Sequence, residues 1–256
     1  MTIKVEGIYI SPVKSLALQR VDRASVVKTG LRGDRQFFLV TDRNRLFTMR
    51  EYGPLATVRA TYALDPECLR IEFPDGAVSD GAPEPADPLS ARFFGEYDVE
   101  AFETPGPWNE AFAKFIGMSV RLVRAAPKRA AVDALPVSVL TEASVDELRR
   151  VSGEPSIDER RFRPNIYVAG ATVPHEEDSW IDRSVRIGGA VIRVRMRDER
   201  CMVTTLNPDT GIRDFSTLTM IAGYRTDQPN EVNFGVYATV EQEGDIAVGD
   251  TVEVPL

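Results

Sequence analysis

Short strand-like runs, each closed by a turn signal, recur along this chain and leave few folds open to it. Val5-Glu6-Gly7-Ile8-Tyr9-Ile10 is followed by Pro12, which cannot continue a sheet ladder. Val21 to Val27 alternates apolar and polar side chains, and Gly30 and Gly33 mark a turn. Gln36-Phe37-Phe38-Leu39-Val40 has the apolar run of a buried strand. Thr41-Asp42-Arg43-Asn44 reads as a hairpin turn before Leu46-Phe47-Thr48-Met49, and Leu69 to Phe73 supplies another strand. Strands at this short spacing predict a barrel or sandwich rather than alternating βαβ units.

Pro74 to Pro88, rich in Gly, Pro, Asp and Ala, predicts an exposed loop. Trp108, Ala111, Phe112 and Phe115 have helical spacing, which predicts a short amphipathic helix over 107–116. Ala125-Ala126-Pro127-Lys128-Arg129 reads as a connector. Beyond it, Val137–Leu140, Asn165–Val168, Ala190–Met196 and Phe234–Ala238 predict strands, and a turn at 246–250 leads into a last one. Val145 to Leu148 predicts a helix, with Ser144 as its cap and Glu147 at capping-box spacing. The expected fold class is α+β, predominantly β. A β-barrel-like N-terminal domain is expected over residues 1–127, and a second β-barrel with short helices over 128–256.

The formal charge of −8 argues against a broad nucleic-acid surface, which needs a basic face. No apolar run approaches the ~20 residues of a membrane span, and the first residues lack the pattern of a signal peptide. The expectation is a cytoplasmic protein with no membrane partner. Two cysteines, Cys68 and Cys201, form no CxxC pair, which argues against a zinc or iron–sulfur site. The single histidine, His175, stands among acidic neighbours and reads as part of a polar loop. Cys68 reads as a buried structural thiol.

Cys201, beside Arg200 and ahead of the Asn207-Pro208-Asp209-Thr210-Gly211 turn, is either a thiolate ligand or a small core residue on local context. Arg161-Phe162-Arg163-Pro164-Asn165 combines two guanidinium forks with an amide, suited to an anion or to a solvated turn. Lys14 and Ser15 after Pro12, and Arg35 after Gly33-Asp34, offer further anion contacts.

These pieces form an ordered set: IYISPVKS at 8–15, GDRQFFLV at 33–40, TMREYGPL at 48–55, VLTEASVDEL at 139–148, RFRPNIYV at 161–168, EDSW at 177–180, RCMVTTLNPDTG at 200–211 and FGVYATV at 234–240. The set resembles the MOSC domain family with an N-terminal MOSC β-barrel domain. It is similar to the mitochondrial amidoxime-reducing component and to bacterial N-hydroxylaminopurine-resistance proteins. The resemblance implies a molybdenum cofactor, molybdopterin carrying one molybdenum, with Cys201 as both the metal ligand and the catalytic residue. It implies cofactor contacts from Lys14, Ser15, Arg35, Thr141, Glu142, Arg163 and Asn165. The implied reaction is reduction of a small N-hydroxylated substrate to an amine, amidine or base plus water. No four-cysteine ferredoxin-like domain follows, so the implied electrons come from a separate ferredoxin, flavodoxin or cytochrome-like reductase. Leu16-Ala17-Leu18 stands where many relatives are more polar and contain glycine, so the substrate-side loops are expected to differ. Other readings stay open: a non-catalytic cofactor carrier, a sulfur carrier using Cys201, and a cofactor-free interaction barrel.

Overall fold

Phe37 to Val40 sends alternate side chains to opposite faces of its strand, as the period of two requires. Phe37 and Leu39 enter one apolar cluster and Phe38 and Val40 another, so the strand Phe37–Thr41 is covered on both sides. In the computed structural model, which describes residues 2–127, 130–227 and 231–255, it belongs to a five-stranded sheet. The order is Pro88–Phe93, Tyr97–Glu103, Val120–Ala125, Phe37–Thr41 and Leu46–Phe47. A three-stranded sheet, Arg59–Leu64, Glu67–Glu72 and Val78–Gly81, packs beside it. The first helix, α1 (Pro107–Ile116), spans the residues the sequence predicts. Proline opens it and Gly117, at φ 81, closes it in the left-handed conformation. Trp108 and Phe112 anchor it in the core.

The larger sheet has eight strands in the order Val252–Glu253, Ser184–Ile187, Ala190–Glu199, Asn233–Gln242, Val137–Thr141, Ile166–Ala169, Lys4–Ile10 and Gln19–Val21. Val137–Thr141 and Ile166–Ala169 run parallel, joined by α2 (Glu142–Ser152). The Val5 amide donates to Asp250 O at 2.9 Å and Gly249 to Val5 O at 2.8 Å, so the first strand meets the last and the sheet curls toward a closed barrel. Inside lie Ile8, Val139, Ile166, Trp180, Ile192 and Val236. The first strands of the chain thus lie in the sheet built mainly by its second half. Lys128 and Arg129, at the expected boundary after residue 127, fall outside the described residues. No helix among the described residues is long and apolar enough to cross a membrane.

Two local readings are corrected and one helix was not foreseen. The Pro74–Pro88 segment contains the strand Val78–Gly81, whose one buried side chain is Ser79, so no apolar alternation marked it. A third helix, α3 (Thr217–Tyr224), is apolar without a clear stripe and carries no helical period to read. The cap of α2 is Thr141, not Ser144: its hydroxyl accepts from the Ser144 amide at 3.3 Å. Ser144 and Thr141 instead donate to the buried carboxylate of Glu177, at 2.8 and 2.7 Å, and Glu147 pairs with Arg150.

The halves touch backbone to backbone at Gly53 and Gly211. A Cβ on either would lie 2.1 Å from the other's carbonyl oxygen. Gly53→Ala is therefore expected to cost about 1–3 kcal/mol in urea unfolding. Gly95→Ala, at φ 79 in open space, should cost only about 1 kcal/mol. Equal losses would mean that the close contact yields freely. Burial pushes Glu177 above the ordinary carboxylate range, against the pull of its hydroxyl partners. A carboxyl with a raised folded-state pKa loses its contribution as pH rises through that value. Wild-type stability relative to Glu177→Gln should accordingly fall as pH climbs above the usual carboxylate range, and a pH-independent difference would contradict this.

Candidate functional site

Cys201 stands one residue beyond the strand Ala190–Glu199, after Arg200, and forms the N-cap of a 3-10 turn, Met202–Thr205. Thr204 ties the turn back, donating from its amide and its hydroxyl to Cys201 O at 3.2 and 3.1 Å. Beyond it, Leu206 sits in the apolar core of the first half, with Val203 packed against that core. The NPDTG turn closes with Gly211 N donating to Asn207 O at 2.8 Å. Arg160 clasps it, with NH1 and NH2 bonding the two oxygens of Asp209 at 2.8 and 2.9 Å. The cysteine is therefore fixed from both halves of the molecule.

It lies half-buried beside a cleft enclosing about 860 Å³ of free space, open solvent at the mouth included. Lys14, Ser15, Arg35, Arg163, Asn165 and Cys201 all line this cleft, although they come from widely separated parts of the sequence. Thr141 and Glu142 do not. Thr141 spends its hydroxyl on the α2 cap and on Glu177, and Glu142 lies in the first turn of α2, where burial raises its pKa and Asp146 adds to the effect.

Lys14, Arg35 and Arg163 are each held by a backbone carbonyl or a carboxylate, and Arg50 lies over the Phe94 ring. Lys14 Nζ donates to Ala131 O and to Asp133 Oδ1, both at 2.8 Å. Burial pushes its pKa down, with Arg35 and Arg163 adding to the effect and Asp133 opposing it. Arg35 NH1 bonds Asp34 Oδ2 and NH2 reaches Arg163 O at 3.3 Å. Arg163 NH2 donates to Leu16 O at 2.8 Å. Burial and then the neighbouring Arg35 push Arg163 down to about 10. Among the described residues, no carboxylate lies within ion-pair distance of Arg163 or of Arg50, another cleft residue. Asn165 borders the cleft with its amide already committed, Oδ1 to Ser138 and Nδ2 to Asp34 at 2.9 Å. Its place is to brace the walls.

Seven non-glycine residues among those described have positive φ, and four of them, Ser15, Arg35, Phe94 and Arg163, line this cleft. Conformations that cost L-residues energy are concentrated where side chains must converge.

Sequence reasoning missed several lining residues. Arg161 was read only as part of the RFRPN motif. It is 8 % exposed and pairs through NH2 with Asp214 at 2.7 Å, yet its Nε and NH1 are buried without a partner. Asp133 and Asp198 lie outside the ordered motifs and Tyr237 lies inside FGVYATV, but all three reach the cleft only through tertiary contact. Asp34, beside Arg35 in sequence, is buried and bonds that arginine. His175 stands in the turn before the 3-10 helix Glu176–Trp180, but its ring is half-buried rather than solvated. Its ring stacks on Tyr224 with centroids 5.7 Å apart, and Nε2 lies 3.0 Å from the Tyr224 hydroxyl. Burial and Arg225 push its pKa down to about 4. Cys68 is half-buried, not fully so, in the strand Glu67–Glu72.

Known proteins fit this architecture. The family model described as MOSC domain matches residues 126–253, and the one described as MOSC N-terminal beta barrel domain matches residues 2–117. The mitochondrial amidoxime-reducing component 1 of Mus musculus is 29 % identical over 281 residues, covering 97 % of this chain and 81 % of that protein. The mitochondrial amidoxime reducing component 2 of Bos taurus is 29 % identical over 285 residues, covering 97 % and 82 %. Among solved structures, the YUAD protein from Bacillus subtilis aligns over 99 % of this chain and 96 % of its own, at 16 % identity and a TM-score of 0.47. With both models placed in order along it, the chain belongs to the MOSC domain family.

Proposed function

We propose that this protein is a molybdenum-cofactor-dependent oxidoreductase. It reduces small N-hydroxylated compounds, breaking the N–O bond to leave an amine or amidine plus water. One observation carries the reading: a single cleft joins the thiol of Cys201 to a set of desolvated cations. A soft sulfur donor suits molybdenum, and guanidinium and ammonium groups suit a phosphate. The fit has an independent mark in Arg161. Its two unpartnered nitrogens lie buried in the lining, and buried donors call for an acceptor. The names of the mammalian relatives support amidoxime-like substrates.

In this reading Cys201 is the metal ligand. Lys14, Arg35 and Arg163 hold the anionic and pterin portions of the cofactor, with the Ser15 hydroxyl among them. Asn165 keeps the strands behind them in register, and Thr141 acts only through α2. When bound, the cofactor supplies two-electron redox chemistry. The protein contributes binding, orientation and access. Electrons come from a separate ferredoxin, flavodoxin or cytochrome-like reductase.

Elemental mass spectrometry on protein from a cofactor-producing host tests this directly. Wild type should carry near-stoichiometric molybdenum. Cys201→Ala should lose the metal and all N-reductase activity with an unchanged circular dichroism spectrum. Molybdenum absent from both would move the protein to a structural or binding role, and metal without turnover would make it a carrier. Arg163→Ala should weaken cofactor retention by about 1.5–3 kcal/mol, the worth of a hydrogen bond to a charged group. Unchanged occupancy would remove Arg163 from the cofactor site.

A further inference from the structure

Reduction of an N–OH group consumes two protons with its two electrons, so something in the cleft must release a proton where the oxygen departs. Three carboxyls line the cleft: Asp133, Asp198 and Glu199. Asp133 is held ionised. Against the cost of desolvation, Lys14 at 2.8 Å, with Arg35 and Arg50 behind it, keeps its pKa below the ordinary range. Glu199 is exposed.

Asp198 differs from both. It is 2 % exposed and stands where its strand slips against the strand Asn233–Gln242. Arg197 pairs with Val236, but Glu199 pairs with Asn233, so Asp198 falls within a register shift. Irregularities of this kind re-aim side chains and recur beside active sites. Here Asp198 is buried in the cleft wall while Glu199 stays in solvent.

Tyr237, on the neighbouring strand, also lines the cleft and favours the ionised form of Asp198. Arg200 NH2 lies 2.8 Å from Oδ2, but the contact is poorly aligned, and neither atom has a hydrogen-bond partner. Arg35, from the first half of the chain, and Asp133, from just past the connector, act on the group as well. Burial outweighs Arg200 and pushes the carboxyl up to about 7.

We propose that Asp198 is the proton donor of the reduction, with Tyr237 as the residue that positions it. This rests on the reductase reading above. As the N–O bond breaks, Asp198 gives its proton to the departing oxygen, which leaves as water. The nitrogen takes the second proton from solvent. Both electrons come from the separate donor protein, and solvent then reprotonates Asp198. The balance is one N-hydroxyl group, two electrons and two protons to one N–H group and one water.

The test compares wild type, Asp198→Asn and Tyr237→Phe as cofactor-loaded proteins, with an aryl amidoxime as substrate and reduced methyl viologen as electron donor. Wild-type kcat should fall as pH rises above about 7, where the donor ionises. Asp198→Asn should reduce kcat about a hundredfold at neutral pH, abolish that fall and retain wild-type molybdenum content. Tyr237→Phe removes a hydroxyl that favours the ionised form, so its fall in rate should move to higher pH. Infrared titration of the cofactor-free protein gives a readout independent of turnover. A protonated carboxyl band should vanish through about pH 7 in wild type and be missing from Asp198→Asn. Either a variant with the wild-type rate and pH profile, or the absence of that band, would overturn the assignment while leaving the reductase reading intact. A molybdenum-loaded wild type that reduces no amidoxime would overturn the reading itself, and the assignment with it.

Discussion

Asp34 is only 3 % exposed, and a carboxylate taken that far from water is tolerated only when its oxygens are well bonded. Its partners come from three separate parts of the chain. The Ser11 amide donates to Oδ1 at 2.7 Å from the first strand-to-loop turn. Asn165 Nδ2 donates to Oδ2 at 2.9 Å from the start of the strand Ile166–Ala169, and Arg35 bonds the same oxygen from the next residue. One buried charge therefore draws together the PVKS loop, the GDR turn and the RPN turn. Ser11 completes the knot, its hydroxyl donating to Val13 O at 2.8 Å. Lys14, Arg35 and Arg163 inherit their positions from this arrangement.

The cleft is held together by the protein's own contacts. Its cations are desolvated and braced by carbonyl oxygens of Ala131, Leu16 and Arg163 rather than fully neutralised by carboxylates. Partial pairing keeps these groups ordered and leaves them short of negative charge. An anion entering the cleft meets donors that need little reorganisation, the condition under which electrostatic binding is most effective. The acidic balance of the whole chain and the basic character of this one site are thus compatible.

Much of the strand order was legible because alternation and turn chemistry are local. The run from Phe37 to Val40, the helix over Pro107–Ile116 and the NPDTG turn each carry their signal within a few residues. Motif resemblance extended this to six cleft residues that no local pattern could bring together. What escaped depended on tertiary contact. Thr141 was placed near the cofactor because its motif lies near, yet a buried glutamate thirty-six residues on claims its hydroxyl. Asp198 looked like one charge among many in an Arg-rich strand. Only the slipped register reveals that it faces inward.

The bonds between Val5 and residues 249 and 250 also carry a temporal consequence. A growing chain emerges from the ribosome amino end first, so the strand Lys4–Ile10 is made before most of the segments that pair with it. Two of its neighbours, Ile166–Ala169 and the segment around Asp250, appear much later. Contacts so distant along the chain form slowly, because a long loop must close before they stabilise anything. The edge of that early strand therefore waits unpaired through most of translation, the condition in which chaperones are most needed.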